Sequence, residues 1–361
     1  MKILYFTNIP SPYKVLFLNE LSKNNDITVL YDGEEGDKRN ADWYKNNEYS
    51  FKQIYLDKFP LTQLKGIIKE RFDIVIIGTY ASIAGAILIT LLKRNEIPFF
   101  INADGGFVDK NDTVFTKKIK THFISKASFY LSSGKKTNEY LTHYGANENN
   151  IYIYPFSSLL KKDILNVPIE YDEKMKLRKE KGYNYKRLLV SVGSFIKRKG
   201  YDLFIESIKN SEFEDTGFLI IGGGEEKENL QLSINKYNIT NVHLIDFCNK
   251  DEIFNYLKMS DIFFFPSRED IWGLVINEAM ACGLPVISSN NVIASIELID
   301  EQYLYSPNNL EEQLKKIETM INLSNNELYN IGITNLHTIK NYTIENMAKV
   351  HNEIFEKVIN E

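Results

Sequence analysis

Short runs of consecutive apolar residues alternate with longer stretches of helical periodicity along most of this chain. In the first half, Ile3–Thr7, Ile27–Tyr31, Ile74–Ile77, Phe99–Asn102 and Phe129–Ser132 read as strands. In the second, Leu188–Val192, Phe218–Ile221, Val242–Ile245, Ile262–Phe265 and Pro285–Ser288 do the same. The intervening helices are Val15–Lys23, Ile83–Lys93, Leu203–Ile208, Glu225–Tyr237, Ile253–Met259 and Leu274–Ala281. Val15, Leu16, Leu18 and Leu21 mark the apolar face of the first. Near-continuous apolar strands separated by helices imply parallel sheets covered on both faces. Two such blocks in tandem predict an α/β chain of two doubly wound domains. The irregular, charged stretch from Pro155 to Lys186 marks the expected boundary, dividing the chain into 1–165 and 166–345. A last helix, roughly Ile344 to Asn360, needs a surface on which to bury Met347, Val350, Ile354 and Val358.

Composition narrows this further. A chain of 361 residues suits two domains, and 25% charged residues with 43% apolar ones is globular usage, against disorder or a coiled coil. The two cysteines, Cys248 and Cys282, exclude a disulfide framework and a thiolate zinc site. A reducing compartment is expected, and the start Met1–Phe6 lacks the apolar stretch of a signal peptide, so the expected place is the cytoplasm. The net charge of −5 hides an asymmetry: residues 1–165 carry 22 basic against 18 acidic side chains, residues 166–361 carry 21 against 30. Neither half has the concentrated basic face of a nucleic-acid binder. The 19 uncharged residues from Ile74 to Leu92 approach the length of a membrane span, but Gly78, Thr79, Tyr80, Ser82 and Gly85 argue for strand, turn and helix. The basic segment Lys110–Lys126, with Val114, Phe115, Ile119 and Phe123 interleaved, suits peripheral contact with an anionic membrane at its inner face, or a solvated helix.

The candidate chemistry lies in loops that follow strands, where open α/β sheets bind ligands. Ser267–Ile287 follows Ile262–Phe265 and opens a helix near Gly273, whose N-terminus offers N–H groups to an anion. Asp270 sits in that loop. Glu278 lies in an otherwise apolar helix, where a carboxylate needs a partner such as a ribose diol. Helix cap and exposed face are the plainer alternatives for the two. Gly222-Gly223-Gly224 allows a close backbone approach to a phosphate or base, or makes an ordinary tight turn. Lys197-Arg198-Lys199 offers cations to a diphosphate, or to solvent. Asp104-Gly105 and Ser11-Pro12-Tyr13 occupy equivalent places in the first half. The five histidines show no metal-ligand spacing, and neither Asp-x-Asp nor Gly-x-Ser-x-Gly occurs.

Asp270 to Ile287, reading D-x(7)-E and then Ala-Met-Ala-Cys-Gly-Leu-Pro-Val-Ile, resembles the signature of the retaining glycosyltransferases of family 4, and Val192–Gly200 and Ile221–Gly224 resemble its phosphate-binding segment and glycine turn. Ile9–Tyr13 and Tyr154–Leu159 are similar to a bacterial subgroup linked to surface polysaccharides. The resemblance implies the GT-B fold, two facing Rossmann-like domains with a cleft between them. Residues 1–165 would bind the acceptor, with a helix at about 346–361 packing back on them, and residues 166–345 would bind the donor. Glu278 would hold the ribose of a nucleotide sugar, Asp270 a hydroxyl of the transferred sugar, and Lys199 the diphosphate, helped by backbone N–H groups of Gly273 and Leu274. Arg198, Ser194, Gly222, Gly224, Glu269, Trp272 and Val275 complete the implied donor contacts. Asp104 would stand where relatives have a histidine facing the acceptor, with Ser11, Pro12, Tyr13 and Gly105 nearby. Asp replaces the usual Glu at 270, with Glu269 as competitor, and Ser194 replaces a phosphate-binding arginine that Arg198 would supply.

The implied activity transfers a hexose, with retention, from a UDP-sugar (GDP-sugar next) to a glycan or polyprenyl-linked saccharide of capsule, exopolysaccharide or O-antigen synthesis. No metal or other cofactor is implied. A glycosyl phosphorylase, a nucleotide-sugar epimerase and a non-catalytic sugar-nucleotide-binding subunit remain alternatives.

Overall fold

The computed structural model describes residues 1–32, 48–108, 112–211, 213 and 215–360. The chain divides into two units, Met1–Ser158 with Tyr342–Glu361, and Leu159–Asn341.

The first unit contains, in order, β1 (Lys2–Thr7), α1 (Pro12–Ser22), β2 (Asp26–Tyr31), β3 (Lys52–Tyr55), α2 (Leu61–Ile67), β4 (Ile74–Ile77), α3 (Ile83–Arg94), β5 (Phe100–Ala103), α4 (Val114–Ile124), β6 (Phe129–Ser132), α5 (Lys135–His143) and β7 (Ile151–Ile153). Its strands form a seven-stranded parallel sheet in the order β3-β2-β1-β4-β5-β6-β7. The chain leaves β1 on one side and returns on the other with β4, which makes the β1–β4 junction a topological switch point. The strands predicted from apolar runs lie within a residue of these bounds. The two strands of this unit that apolar runs do not mark are β3 and β7, both at sheet edges, where half-coverage removes the need for an apolar run.

The second unit contains α6 (Tyr171–Glu180), β8 (Arg187–Val192), α7 (Tyr201–Ile208), β9 (Thr216–Ile221), α8 (Lys227–Lys236), β10 (Val242–Ile245), α9 (Lys250–Met259), β11 (Ile262–Phe265), α10 (Leu274–Ala281), β12 (Val286–Ser289), α11 (Ile293–Leu298), β13 (Leu304–Tyr305), α12 (Leu310–Ile321) and α13 (Asn325–Ile339). Its six-stranded sheet runs β10-β9-β8-β11-β12-β13, so its switch point lies between β8 and β11. The unforeseen β13 is again an edge strand. α6 corrects the expectation of an irregular Pro155–Lys186 stretch. The residues of α6 that turn inward are Lys174 and Arg178, so hydropathy shows no stripe there.

Two apolar faces also need correcting. α1 buries Lys14, Val15, Phe17, Leu18 and Leu21, whereas Leu16 is half-buried. The last helix, α14 (Ile344–Asn360), belongs to the first unit and packs on α1. Its inward face is Ile344, Met347, Ala348, His351, Ile354 and Phe355, with Val350 and Val358 half-buried. Ile74–Leu92 folds as β4, a turn and most of α3, and among the described residues no helix is long and apolar enough to cross a membrane.

Candidate functional site

In the second unit three loops meet at the carboxyl ends of β8, β9 and β11. Backbone hydrogen bonds lace them together: Phe195 N donates to Gly223 O (2.8 Å), Glu226 N to Phe195 O (2.9 Å) and Arg268 N to Arg198 O (2.8 Å). This lacing explains two glycines. A β-carbon at Gly222 would stand 2.1 Å from the Gly193 carbonyl oxygen, and one at Gly200, whose φ is +71°, would stand 2.0 Å from that of Pro266. Gly222 and Gly224, expected among the donor contacts, are thus taken up by packing against Gly193 and Phe195, while Gly223 faces open space.

The lacing brings Lys199, which ends a single 3-10 turn after β8, against Asp270, which follows β11. Lys199 Nζ lies 2.5 Å from Asp270 Oδ2, and Arg198 Nη1 approaches the same oxygen at 3.4 Å. The pair therefore spans the switch point, and two cations share one carboxylate. Lys199 also sits 4.7 Å from the centre of the Phe265 ring. Burial depresses the ammonium below its ordinary value, with Asp270 offsetting part of the effect. Glu269 is exposed, and its carbonyl accepts from Arg198 (2.8 Å), so Asp270 is the acidic residue at the cations. Ser194 is exposed on the β8 loop.

Asp270 is not a helix cap. The N-cap of α10 is Gly273, at φ +94° and with no side-chain bond to the first turn. α10 is buried all round except along Leu274, Val275 and Glu278, which form one stripe at i, i+1 and i+4. Glu278 is therefore half-buried on an open stripe rather than enclosed in the core. Trp272, expected as a donor contact, instead buries its indole and donates Nε1–H to Asn277 Oδ1 (3.1 Å), so the ring belongs to the core. Two residues outside the expected site brace the loops: Arg268 makes a two-pronged bond to Asp202 at 2.7 and 2.9 Å.

In the first unit, Asp104 follows β5 and accepts four donors. Tyr13 OH (3.0 Å) and Lys14 Nζ (3.3 Å) meet Oδ2, while Asn102 Nδ2 (2.7 Å) and Tyr154 OH (2.8 Å) meet Oδ1. Burial would raise its pKa, but Lys14 and the hydrogen bonds outweigh it and hold the carboxyl below the usual range. A carboxylate so stabilised in its charged form is a poor general base. Ser11 is the buried N-cap of α1, Pro12 its exposed first residue, and Gly105 is half-buried beside Asp104. Lys14, Asn102 and Tyr154 were not anticipated. The signal for Lys14 is its place at i−3, i−4 and i−7 from Phe17, Leu18 and Leu21, where a helix normally puts an apolar residue.

α4 exposes Val114, Phe115 and Ile119 beside Lys117 and Lys118, and only Ile124 of its residues is buried. Lys120 pairs with Asp112 at 2.9 Å, and Lys110 lies outside the described residues. Among the described residues no group of three or more His, Cys, Asp or Glu is placed to hold a metal ion.

Residues 173–335 match the family model described as Glycosyl transferases group 1, which covers most of the second unit. The chain is 32% identical over 149 residues to an uncharacterized glycosyltransferase of Haemophilus influenzae, covering 40% of this chain and 41% of that protein. It is 33% identical over 115 residues to the O-antigen biosynthesis glycosyltransferase WclY of Escherichia coli, covering 32% of this chain and 31% of that one. The chain thus spans well under half the length of these curated relatives. The Anabaena Alr3699/HepE structure in complex with UDP and glucose superposes with a TM-score of 0.76 at 14% identity, covering 100% of both chains. The fold is the two-domain, Rossmann-like GT-B fold.

Proposed function

We propose that this chain is a retaining glycosyltransferase of family 4, moving a sugar from a nucleoside-diphosphate sugar, a UDP-sugar foremost, to a glycan or polyprenyl-linked acceptor in surface-polysaccharide synthesis. The observation that carries the reading is the Lys199–Asp270 pair at the β8–β11 switch point beside the open Leu274–Val275–Glu278 stripe. Lys199 and Arg198 supply two positive charges against the one negative charge of Asp270, leaving one for a diphosphate. The uncapped N-terminus of α10 adds its N–H groups to the same end. Glu278, one turn along, is the carboxylate for the ribose, and Asp270 for the sugar. The leaving diphosphate is stabilised by these fixed charges and takes the acceptor proton, with no resident metal in the scheme. The UDP complex of the Anabaena structure and the O-antigen role of the Escherichia coli relative favour this donor and this pathway class.

Thermal denaturation with UDP, GDP, ADP, NAD and inorganic phosphate tests the proposal. A ligand at a hundred times its dissociation constant stabilises the fold by about 2.7 kcal/mol. UDP is expected to raise the midpoint of the wild type and not that of Glu278→Ala. A response to NAD or phosphate alone would remove the transferase reading.

The first unit is proposed to carry the acceptor and, through α4, to rest on the anionic inner face of the plasma membrane. Three exposed apolar residues flanked by lysines are the physical basis. Co-sedimentation with vesicles is expected to rise with anionic lipid content and to fall for Phe115→Ser with Lys118→Glu. Binding indifferent to lipid charge would discard it.

A further inference from the structure

A second polar site lies at the opposite end of the second sheet. Arg187 begins β8, Asp261 immediately precedes β11 and Gly283 precedes β12, so residues at the amino ends of the parallel strands border it. Together with α6 and the start of α13 they line a cleft of about 440 Å³.

Its charge balance is uneven. Arg178, fully buried, pairs with Asp261 at 2.5 Å, and Asp261 also accepts from Leu188 N (2.9 Å), so these two charges cancel. Arg187 directs its guanidinium to the Ile321 and Leu323 carbonyls and to Asn325 Oδ1, which are neutral acceptors. Lys174, one turn before Arg178, lines the cleft with only 7% of its surface exposed. Its ammonium makes no hydrogen bond or ion pair among the described residues. Glu170 and Asp172 also border the cleft, but both are exposed, where solvent screens them. The inward side chains here thus bring three positive charges, Lys174, Arg178 and Arg187, against the single buried negative charge of Asp261. Such an arrangement is costly unless an anion completes it.

We propose that this cleft binds the phosphoryl group of a small phosphorylated molecule through Lys174 and Arg187. The site is separate from the Lys199–Asp270 site and independent of the transferase reading. The cleft exceeds a bare phosphate ion, which favours a phosphomonoester over inorganic phosphate. Gly283 closes α10, so one end of that helix borders each site.

Calorimetric titration of the full chain with glucose 6-phosphate, and separately with inorganic phosphate, at constant ionic strength and with UDP present, tests this. The phosphomonoester is expected to bind the wild type and Lys199→Ala alike, to lose at least tenfold in affinity in Lys174→Gln, and to recover in Lys174→Arg. Equal affinity in Lys174→Gln, or loss confined to Lys199→Ala, would overturn the proposal. Tighter binding of inorganic phosphate would keep the anion site but reassign its source.

The wild type supplies a reading that needs no variant. Asp261, Arg178, Arg187 and the thiol of Cys282 surround Lys174, with Glu170 and Asp172 outside. Burial brings the ammonium down to about 8, and Cys282, pushed up to about 12 by burial, stays uncharged. Affinity is therefore expected to fall severalfold between pH 8 and 9, although the phosphoryl group is fully ionised there. Flat or rising affinity would contradict the assignment.

Discussion

Both units carry a lysine–aspartate pair near the carboxyl ends of their strands, and burial does not distinguish the two. The side chains of Lys14 and Asp104 are 8% and 20% exposed, those of Lys199 and Asp270 13% and 12%. Their partners do. Every oxygen of Asp104 is matched by neutral donors as well as by Lys14, and Lys14 donates onward to Thr7 Oγ1 at 3.2 Å. That arrangement is closed on itself and ties β1, α1, β5 and the Tyr154 segment together. At Asp270 the two cations crowd onto Oδ2, while among the described residues Oδ1 has only the distant Trp272 N–H at 3.4 Å. A pair with excess positive charge and an under-used oxygen is ready for a ligand, whereas a saturated pair is a structural tie.

The largest effect that separates the two is on turnover. Lys199→Ala is expected to lower turnover about 10²–10³-fold, the loss typical of removing one group that stabilises developing charge. Its melting midpoint should move little, since Asp270 keeps Arg198. Sugar-transfer assays beside thermal melts read both. A variant that melts early yet turns over normally would make Lys199 another tie.

Lys14→Met should do the reverse. Removing one member of a buried pair costs about 3–5 kcal/mol, and the three neutral donors left on Asp104 place this case near 3. Denaturant unfolding should show it, with UDP affinity unchanged. Adding Asp104→Asn should recover part of the loss, because the stranded charge is then gone.

A smaller effect, specific to the first unit, is acid sensitivity. His351 on α14 is fully buried among Phe17, Tyr154 and Phe355, its Nδ1–H donates to Met347 O (2.7 Å), and Asp104 is the ionised group that acts on it. Burial takes its pKa down to about 4 from 6.5. The unfolded chain therefore takes up a proton between pH 6.5 and 4 that the folded chain refuses. Stability is present above 6.5 and is lost as pH falls through that window, by up to about 3 kcal/mol. His351→Phe should flatten this part of the pH–stability curve. An unchanged acid slope would mean that other groups set it.

Much of the fold was legible because buried parallel strands must be apolar along their whole length. β4, β6, β10 and β11 appear in the sequence with the bounds they have in the structure. What hid was of two kinds. Edge strands such as β3, β7 and β13 are too short or too polar to announce themselves. Helices α1 and α6 bury cations, Lys14, Lys174 and Arg178, where periodicity looks for apolar residues, so their inward faces were misread or missed.

The candidate site divides in the same way. By itself the sequence determined the parallel α/β architecture, the loops at strand ends that carry the candidate chemistry, and the resemblance to a glycosyltransferase signature around Asp270 and Glu278, because these are local patterns of residue type and spacing. Only the tertiary structure decided that Lys199 meets Asp270 rather than Glu269, that Trp272 turns into the core, that Gly222 and Gly224 serve loop packing, and that Asp104 is a saturated tie. Those outcomes depend on which loops the sheet order brings together and on which donors and acceptors then remain unmatched. Neither is written in any one segment of the chain.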